Sequence, residues 1–292
     1  MTYELSGPLL AQLALSGLGM GFLFALIAIG LTLIYGVMGV VNFAHGEFLM
    51  LSMYATYIAY ATWHIDPLVT LPFVAAGMFL FGVMVYRLLI RRVIAGSMYS
   101  QIFATFGLMV FMQAAAQFIW GADYYAVRQS WLSGVLILGG LTLPVPQIAS
   151  VVGASLSTAL LYWFVFRTGT GRSLRAAAQD RQAAATLGID VDRMYALAWG
   201  IGSACVGVAG SLLANFYPIF PRVGVLFVLL AYVAVALGGF GSIHGALLAG
   251  VCIGILQVIA GFFFDAQLKY IPVYLLYLVV VLLYPRGFAG RS

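Results

Sequence analysis

Nine stretches of this chain are apolar for about the length of a membrane crossing. They lie at about 8–35, 43–63, 67–86, 98–120, 143–166, 194–214, 223–240, 243–263 and 270–285. A spanning helix needs ~20 apolar residues to cross ~30 Å of hydrocarbon. Charge is what a soluble surface is built from, and only 7% of the 292 residues carry it, against roughly a quarter in a soluble domain. The reading is an all-α, polytopic integral membrane protein of about eight to ten transmembrane helices, some broken or re-entrant. Residues 1–292 form a single transmembrane domain on this reading. The two stretches around 223–263 are short and joined by LGGFGSIHG, which makes them candidates for broken or partial spans. The first stretch follows no basic segment and is too long for a leader's apolar core, so it reads as a first span and not as a cleaved signal.

Basic residues set the orientation. Arg87, Arg91 and Arg92 share one connection; Arg167, Arg172, Arg175, Arg181 and Arg193 share another; Arg286 and Arg291 close the chain. Cytoplasmic loops carry the Lys and Arg excess, so these three places are expected inside, with the N-terminus outside and the C-terminus inside. The opposite loops carry Asp66, Asp123, Arg128, Arg222, Asp265 and Lys269, without a basic excess. The net charge of +5 is thus a topology signal and gives no support for nucleic-acid binding. The outer loop at 121–142 is flanked by Trp120 and Trp131, which read either as an interfacial belt or as a docking surface.

The largest cytoplasmic segment, RTGTGRSLRAAAQDRQAAATLGIDVDRMYALAW, runs from Arg167 to Trp199. Its alanine-rich part predicts a helix over 173–187. Arg172, Arg175, Gln179 and Gln182 follow one face; Leu174, Ala177, Ala184 and Leu187 follow another. Gly188 is placed to end that helix, and Asp190 or Asp192 to cap the next. The segment is either a solvated loop helix or an element that docks a soluble partner.

Several chemistries are missing from the chain. Its single lysine, Lys269, is not preceded by glycine, so there is no phosphate-cradling Gly-Lys pair. There is no HExxH and no G-x-S-x-G. Cys205 and Cys252 sit in apolar runs without metal-site spacing and read as small buried hydrophobes. Polar residues do interrupt the apolar text at VVNFAHGEFLM, where Asn42, His45 and Glu47 lie within six positions. A weaker echo follows: N-F-A-H-G-E-F at 42–48 and G-S-I-H-G-A-L at 241–247, with Ser242 and His244, both place His-Gly at the start of an apolar run. Duplicated halves with interrupted helices are common in transporters.

Gln182-Ala183-Ala184-Ala185-Thr186-Leu187-Gly188 resembles the E-A-A-x-x-x-G signature in the cytoplasmic coupling loop of ABC-importer membrane subunits. Gln182 replaces the Glu, and the downstream I-x-L-P is absent. GLTLIYGVMGVVNFAHGEFLMLSMY at 30–54, LRAAAQDRQAAATLGIDVDRMYALAWGIGSACVGVAG at 174–210 and ALGGFGSIHGALLAG at 236–250 look like the H-type permease of branched-chain amino acid ABC importers. The resemblance runs over nearly the whole chain, in order. It implies a bacterial inner-membrane permease for branched-chain or other hydrophobic amino acids, or related amides, urea or small acids. It also implies a second related permease, two ATP-binding subunits and a periplasmic solute-binding protein. No cofactor is expected on this chain; ATP and Mg belong to the ATPase subunits. The coupling loop would be 167–193, with Arg172, Arg175, Gln179, Gln182, Ala183, Ala184 and Gly188 as coupling residues.

Three readings of the polar cluster follow. Asn42, His45 and Glu47 satisfy backbone groups at a helix break near the cytoplasmic side, with Gly36, Gly39 and Gly46 bending the path. Or they line the translocation path or its inner gate. Or His45 and Glu47 relay protons in a stand-alone secondary transporter or channel. Ser242 and His244 are placed with them as gate residues, or as the brace of a second glycine-rich break.

Overall fold

The computed structural model describes residues 7–138, 141–264, 268–284 and 287–288. Arg286, Arg291 and Asp265, used above for orientation, lie outside the described residues.

Helix α1 (Gly7–Met38) leads through a non-helical segment to α2 (His45–Trp63) and then α3 (Pro67–Val85). α3 continues through a π-helical turn (Tyr86–Ile90) into α4 (Arg91–Val93), and α5 (Met98–Trp120) follows. A hairpin of β1 (Val135–Leu138) and β2 (Leu141–Pro144), antiparallel with Leu136 opposite Leu143, precedes α6 (Val145–Arg167). Then come α7 (Gly169–Gln179), α8 (Arg181–Thr186), α9 (Val191–Leu213), α10 (Val223–Gly238), α11 (Ile243–Phe263) and α12 (Ile271–Leu283).

Each of the nine apolar stretches contains one helix. Six are long and apolar enough to cross a bilayer: α1, the rod from Pro67 to Val93, α5, α6, α9 and α11. α2 has 19 residues but a more polar face, and α10 and α12 have 16 and 13. The chain is a multi-pass membrane protein. Of the two stretches expected to be partial, α10 is short and α11 is full length. The fold class is all-helical as expected, and the hairpin is a short pairing within one connection. It forms because the connection between α5 and α6 is long enough to pair with itself, satisfying its own backbone groups.

α1 and α9 are the most enclosed of these six helices, and α3, α5 and α6 present most of their length outward. Close approach depends on small residues. A Cβ on Gly17 would stand 2.7 Å from Ile255 Cα, and one on Gly21 2.8 Å from Val251 Cα; from the other side, a Cβ on Gly254 would stand 2.2 Å from Gly21 Cα. Gly17, Gly21 and Ala25 on α1, with Gly250 and Gly254 on α11, are four apart. In a bilayer there is no hydrophobic drive between helices, so small residues that bring backbones together carry the packing.

The connections sort into two ends. At one, Asp192 Oδ1 accepts from Tyr86 Oη at 2.8 Å and pairs with Arg91 Nε at 3.0 Å, joining the two arginine-bearing connections. Phe288 N donates to Leu237 O at the same end. At the other, Tyr125 and Ile219 exchange backbone hydrogen bonds, Trp131 N donates to Asp66 Oδ2, and Gln12 pairs with Thr142. Segments near the two termini therefore sit at opposite ends, as an odd number of crossings requires.

Candidate functional site

The residues singled out by sequence fall into three places. The first is the start of α2. α1 ends at Met38, and Gly39 turns the chain back with φ +68°, a conformation that glycine adopts without strain. Residues 39–44 then run as non-helical backbone into the protein, and Val40, Asn42 and Ala44 are fully buried. Such backbone survives at membrane depth only when shielded by protein. Here Val41 O accepts from Thr105 Oγ1 at 3.0 Å, and Asn42 Oδ1 accepts from Ala44 N at 3.1 Å.

α2 therefore starts deep. His45 Nε2 donates to Ile27 O at 3.1 Å, in the middle third of α1. Glu47 Oε1 accepts from Gln113 Nε2 at 2.8 Å, past the middle of α5. The expectation of a site near the arginine-rich end is corrected: the re-entrant segment climbs back before the helix begins. The chain re-enters before α2, and Asn42 bonds to the backbone of that segment. His45 and Glu47 bond away from each other, so the structure does not join them as a pair. Each of the three keeps one buried polar atom without a partner among the described residues: Asn42 Nδ2, His45 Nδ1 and Glu47 Oε2.

The start of α10 meets the start of α2. A Cβ on Gly46 would lie 2.3 Å from Gly224 O, and one on Gly224 2.1 Å from Gly46 O and 3.0 Å from Glu47 N. Two helix N-termini thus converge beside Glu47, and their partial positive charges surround a buried carboxyl group. Gln113 and Gly224 escaped the sequence reading. Gln113 carried a signal, since it is one of only two amides, with Gln117, inside the largely apolar FATFGLMVFMQAAAQF; Gly224 carried none, because only the crossing gives it meaning.

Ser242 and His244 lie elsewhere, at the arginine-rich end. Ser242 caps α11, its Oγ accepting from Gly245 N at 3.1 Å. His244 is exposed and packs against Tyr162 and Phe166, with ring centroids 5.2 and 5.9 Å away. Both line a cavity of about 780 Å³ with Arg175 and Gln179.

The third place is the segment after α6. The single helix expected over 173–187 is two helices, because Asp180 is extended (φ −151°) and its carboxylate caps α8 through Gln182 N and Ala183 N at 2.8 and 3.0 Å. Of the four residues that share a face in the sequence, Leu174, Ala177 and Ala184 are buried, but Leu187 is 79% exposed. α8 ends at Thr186, so Leu187 falls at its C-cap, beyond the helical turn that buries Ala184. Gly188, with φ +79°, ends the segment, and Asp190, not Asp192, caps α9 through Arg193 N. Arg175 turns back onto Phe166, 5.1 Å above its ring. Arg172, Gln182, Ala183 and Gly188 face outward.

Two smaller expectations divide. Trp120 stacks on Tyr54 at 4.2 Å, while Trp131 is 72% exposed, so of the two only Trp131 is free to meet a partner or an interface. Cys205 is buried and Cys252 is exposed on α11, where a helix face turned outward is covered by lipid or protein and needs no polar side chain.

Comparison with known proteins agrees with this architecture. A family described as the permease component of the branched-chain amino acid transport system matches residues 13–283. The high-affinity branched-chain amino acid transport system permease protein BraD of Pseudomonas aeruginosa is 33% identical over 96% of this chain and 95% of its own length. LivH, the corresponding permease protein of Escherichia coli K12, is 31% identical with the same coverage, and that of Salmonella typhimurium is 30% identical. No solved structure gives a significant match. Six helices long and apolar enough to cross a membrane among the described residues, a deep re-entrant start, and a family match over residues 13–283 lead to one assignment: the chain belongs to the permease components of branched-chain amino acid ABC transport systems, as the membrane part and not the ATPase.

Proposed function

We propose that the chain is one of two permease subunits that together import branched-chain amino acids across a bacterial inner membrane. Its N-terminus faces the periplasm and its C-terminus the cytoplasm, since the arginine-rich end belongs inside. A periplasmic binding protein delivers the solute to the face holding the hairpin and Trp131. Two ATP-binding subunits use ATP and Mg on the cytoplasmic face. Residues 1–292 act as a single permease domain whose coupling loop is 167–193.

The observation that carries this reading is the exposed edge of α8. A leucine that is 79% exposed at the end of a short capped helix, beside Gln182, Ala183 and Gly188, has no covering surface among the described residues. It fits a hydrophobic contact with a soluble subunit. α8 is tied to α9 through Asp190 and Ile189 N, which donates to Ala184 O at 3.1 Å. α9 packs on α1, α2 and α3, so a push on α8 reaches the start of α2.

There, the gate reading of Asn42, His45 and Glu47 is supported by their three unpartnered polar atoms and by the two converging helix N-termini. Interrupted helices that end near mid-membrane supply such positive ends to the anionic groups of transported solutes, and an amino acid carries a carboxylate. Ser242 and His244 belong on the cytoplasmic exit side of that path.

Co-purification from the native membrane tests the coupling assignment. With Leu187→Glu, the ATPase subunits are expected to be lost while the permease keeps its unfolding temperature. Full recovery of the ATPases with that variant sinks the docking role of α8.

A further inference from the structure

The cavity at the arginine-rich end has properties beyond the exit-side place given to Ser242 and His244. Its volume of about 780 Å³ falls within the ~300–1,000 Å³ of small-molecule sites. The end of α1, the end of α6, α7 and the turn before α11 enclose it. The ionisable side chains on its wall include Arg175, Arg181 and His244, and none of its lining residues is Asp or Glu. The carboxylates close by in the chain are engaged elsewhere: Asp180 caps α8, and Asp192 holds Tyr86 and Arg91. The first turn of α11 adds the positive end of a 21-residue helix.

Thr32 is a second, independent sign. It belongs to the wall, is 1% exposed, and its hydroxyl has no hydrogen-bond partner among the described residues. A buried hydroxyl without a partner costs free energy unless something in the cavity meets it. Much of the remaining wall is aliphatic, through Val37, Val165 and Ile243.

We propose that this cavity binds the anionic headgroup of a membrane phospholipid, with its phosphate at Arg175 and Arg181. A soluble phosphate shares that chemistry. The aliphatic wall and the position where the spans end favour the lipid, because basic pockets between spanning helices take anionic headgroups. The cavity shares Arg175 with the coupling segment and Ser242 and His244 with the exit side of the path, so the readout is lipid retention, not transport.

The test is native mass spectrometry of the complex released from nanodiscs holding equal phosphatidylglycerol and phosphatidylcholine. The wild type is expected to retain phosphatidylglycerol selectively, and excess inorganic phosphate to leave that retention in place. Arg175→Gln with Arg181→Gln is expected to lower it roughly 30-fold, at about fivefold per arginine. Ala178→Trp, which fills the cavity without removing charge, should lower it as well, and Arg128→Gln at the opposite end should not. Equal retention of both lipids by the wild type, displacement by inorganic phosphate, or unchanged retention in Ala178→Trp each overturns the proposal. The wild-type competition and Ala178→Trp decide the matter even where the double arginine variant does not fold.

Discussion

Two helix starts in this protein share a His-Gly pair and differ in almost everything else. At α2, His45 is fully buried and tied to the backbone of α1. At α11, His244 is exposed and rests on two aromatic rings. The glycines behave alike: Gly46 lies against Gly224, and Gly245 against Gly238, where an added Cβ would fall 1.9 Å from the carbonyl oxygen. The shared element is therefore a close backbone crossing, while the histidines serve their surroundings. Depth separates them. The chain re-enters the bilayer before α2 but not before α11, so one histidine meets backbone in a dry interior and the other meets a cavity.

The largest effect should come where the two starts agree. Gly46→Ala and Gly245→Ala each force backbones apart and should destabilise by ~1–3 kcal/mol, the usual range for overpacking. Thermal unfolding in detergent reads this, and an unshifted midpoint for either variant would break the likeness. The histidines should split next. His45→Ala loses a buried bond and leaves a gap, for ~1–3 kcal/mol, whereas His244→Ala should stay within ~0.5 kcal/mol as a surface change. Equal losses would mean that depth is not the distinction.

Glu47 sharpens the deep site further. Glu47→Ala strands the Gln113 amide at a cost of ~1–3 kcal/mol, while Glu47→Gln keeps an acceptor and should cost less. Uptake by the reconstituted complex separates brace from gate: a folded Glu47→Gln complex that has lost uptake supports the gate, and one that transports normally leaves Glu47 a brace. The smallest effect belongs to the shallow start. Ser242→Ala removes the cap on Gly245 N and should cost about 1 kcal/mol. Protection of the first α11 amides against hydrogen exchange is the direct measure.

Much of this was legible in the sequence because a bilayer leaves few choices. Backbone groups in hydrocarbon must bond within their own segment, so nine apolar stretches became nine helices with ends close to those expected. The alternation of basic connections correctly placed Arg91 near the 167–193 segment, where it meets Asp192. Gly39 and Gly188 announced turns through a conformation that costs other residues strain. The packing was legible in principle: Gly17, Gly21 and Ala25 are spaced for a close helix crossing, but the spacing does not name α11 as the partner.

Other features had no local signature. Asp180 interrupts an alanine-rich helix because its carboxylate satisfies two amides better served outside the helix, and propensity alone points the other way. Leu187 lies at helical spacing from the buried Ala184 but is exposed because α8 ends at Thr186, which leaves Leu187 at the cap.

The sequence by itself determined that this chain crosses a membrane many times, which connections share an end, and where the helices turn. These follow from length, hydropathy and charge, which act on each segment separately. Only the tertiary structure decided how deep α2 begins, that Glu47 meets Gln113 and the start of α10, and that Arg175 joins His244 around one cavity. Those facts depend on which helix lies beside which. In a bilayer that choice rests on small residues and buried polar bonds, whose partners are distant in the chain and leave no mark on each other's local sequence.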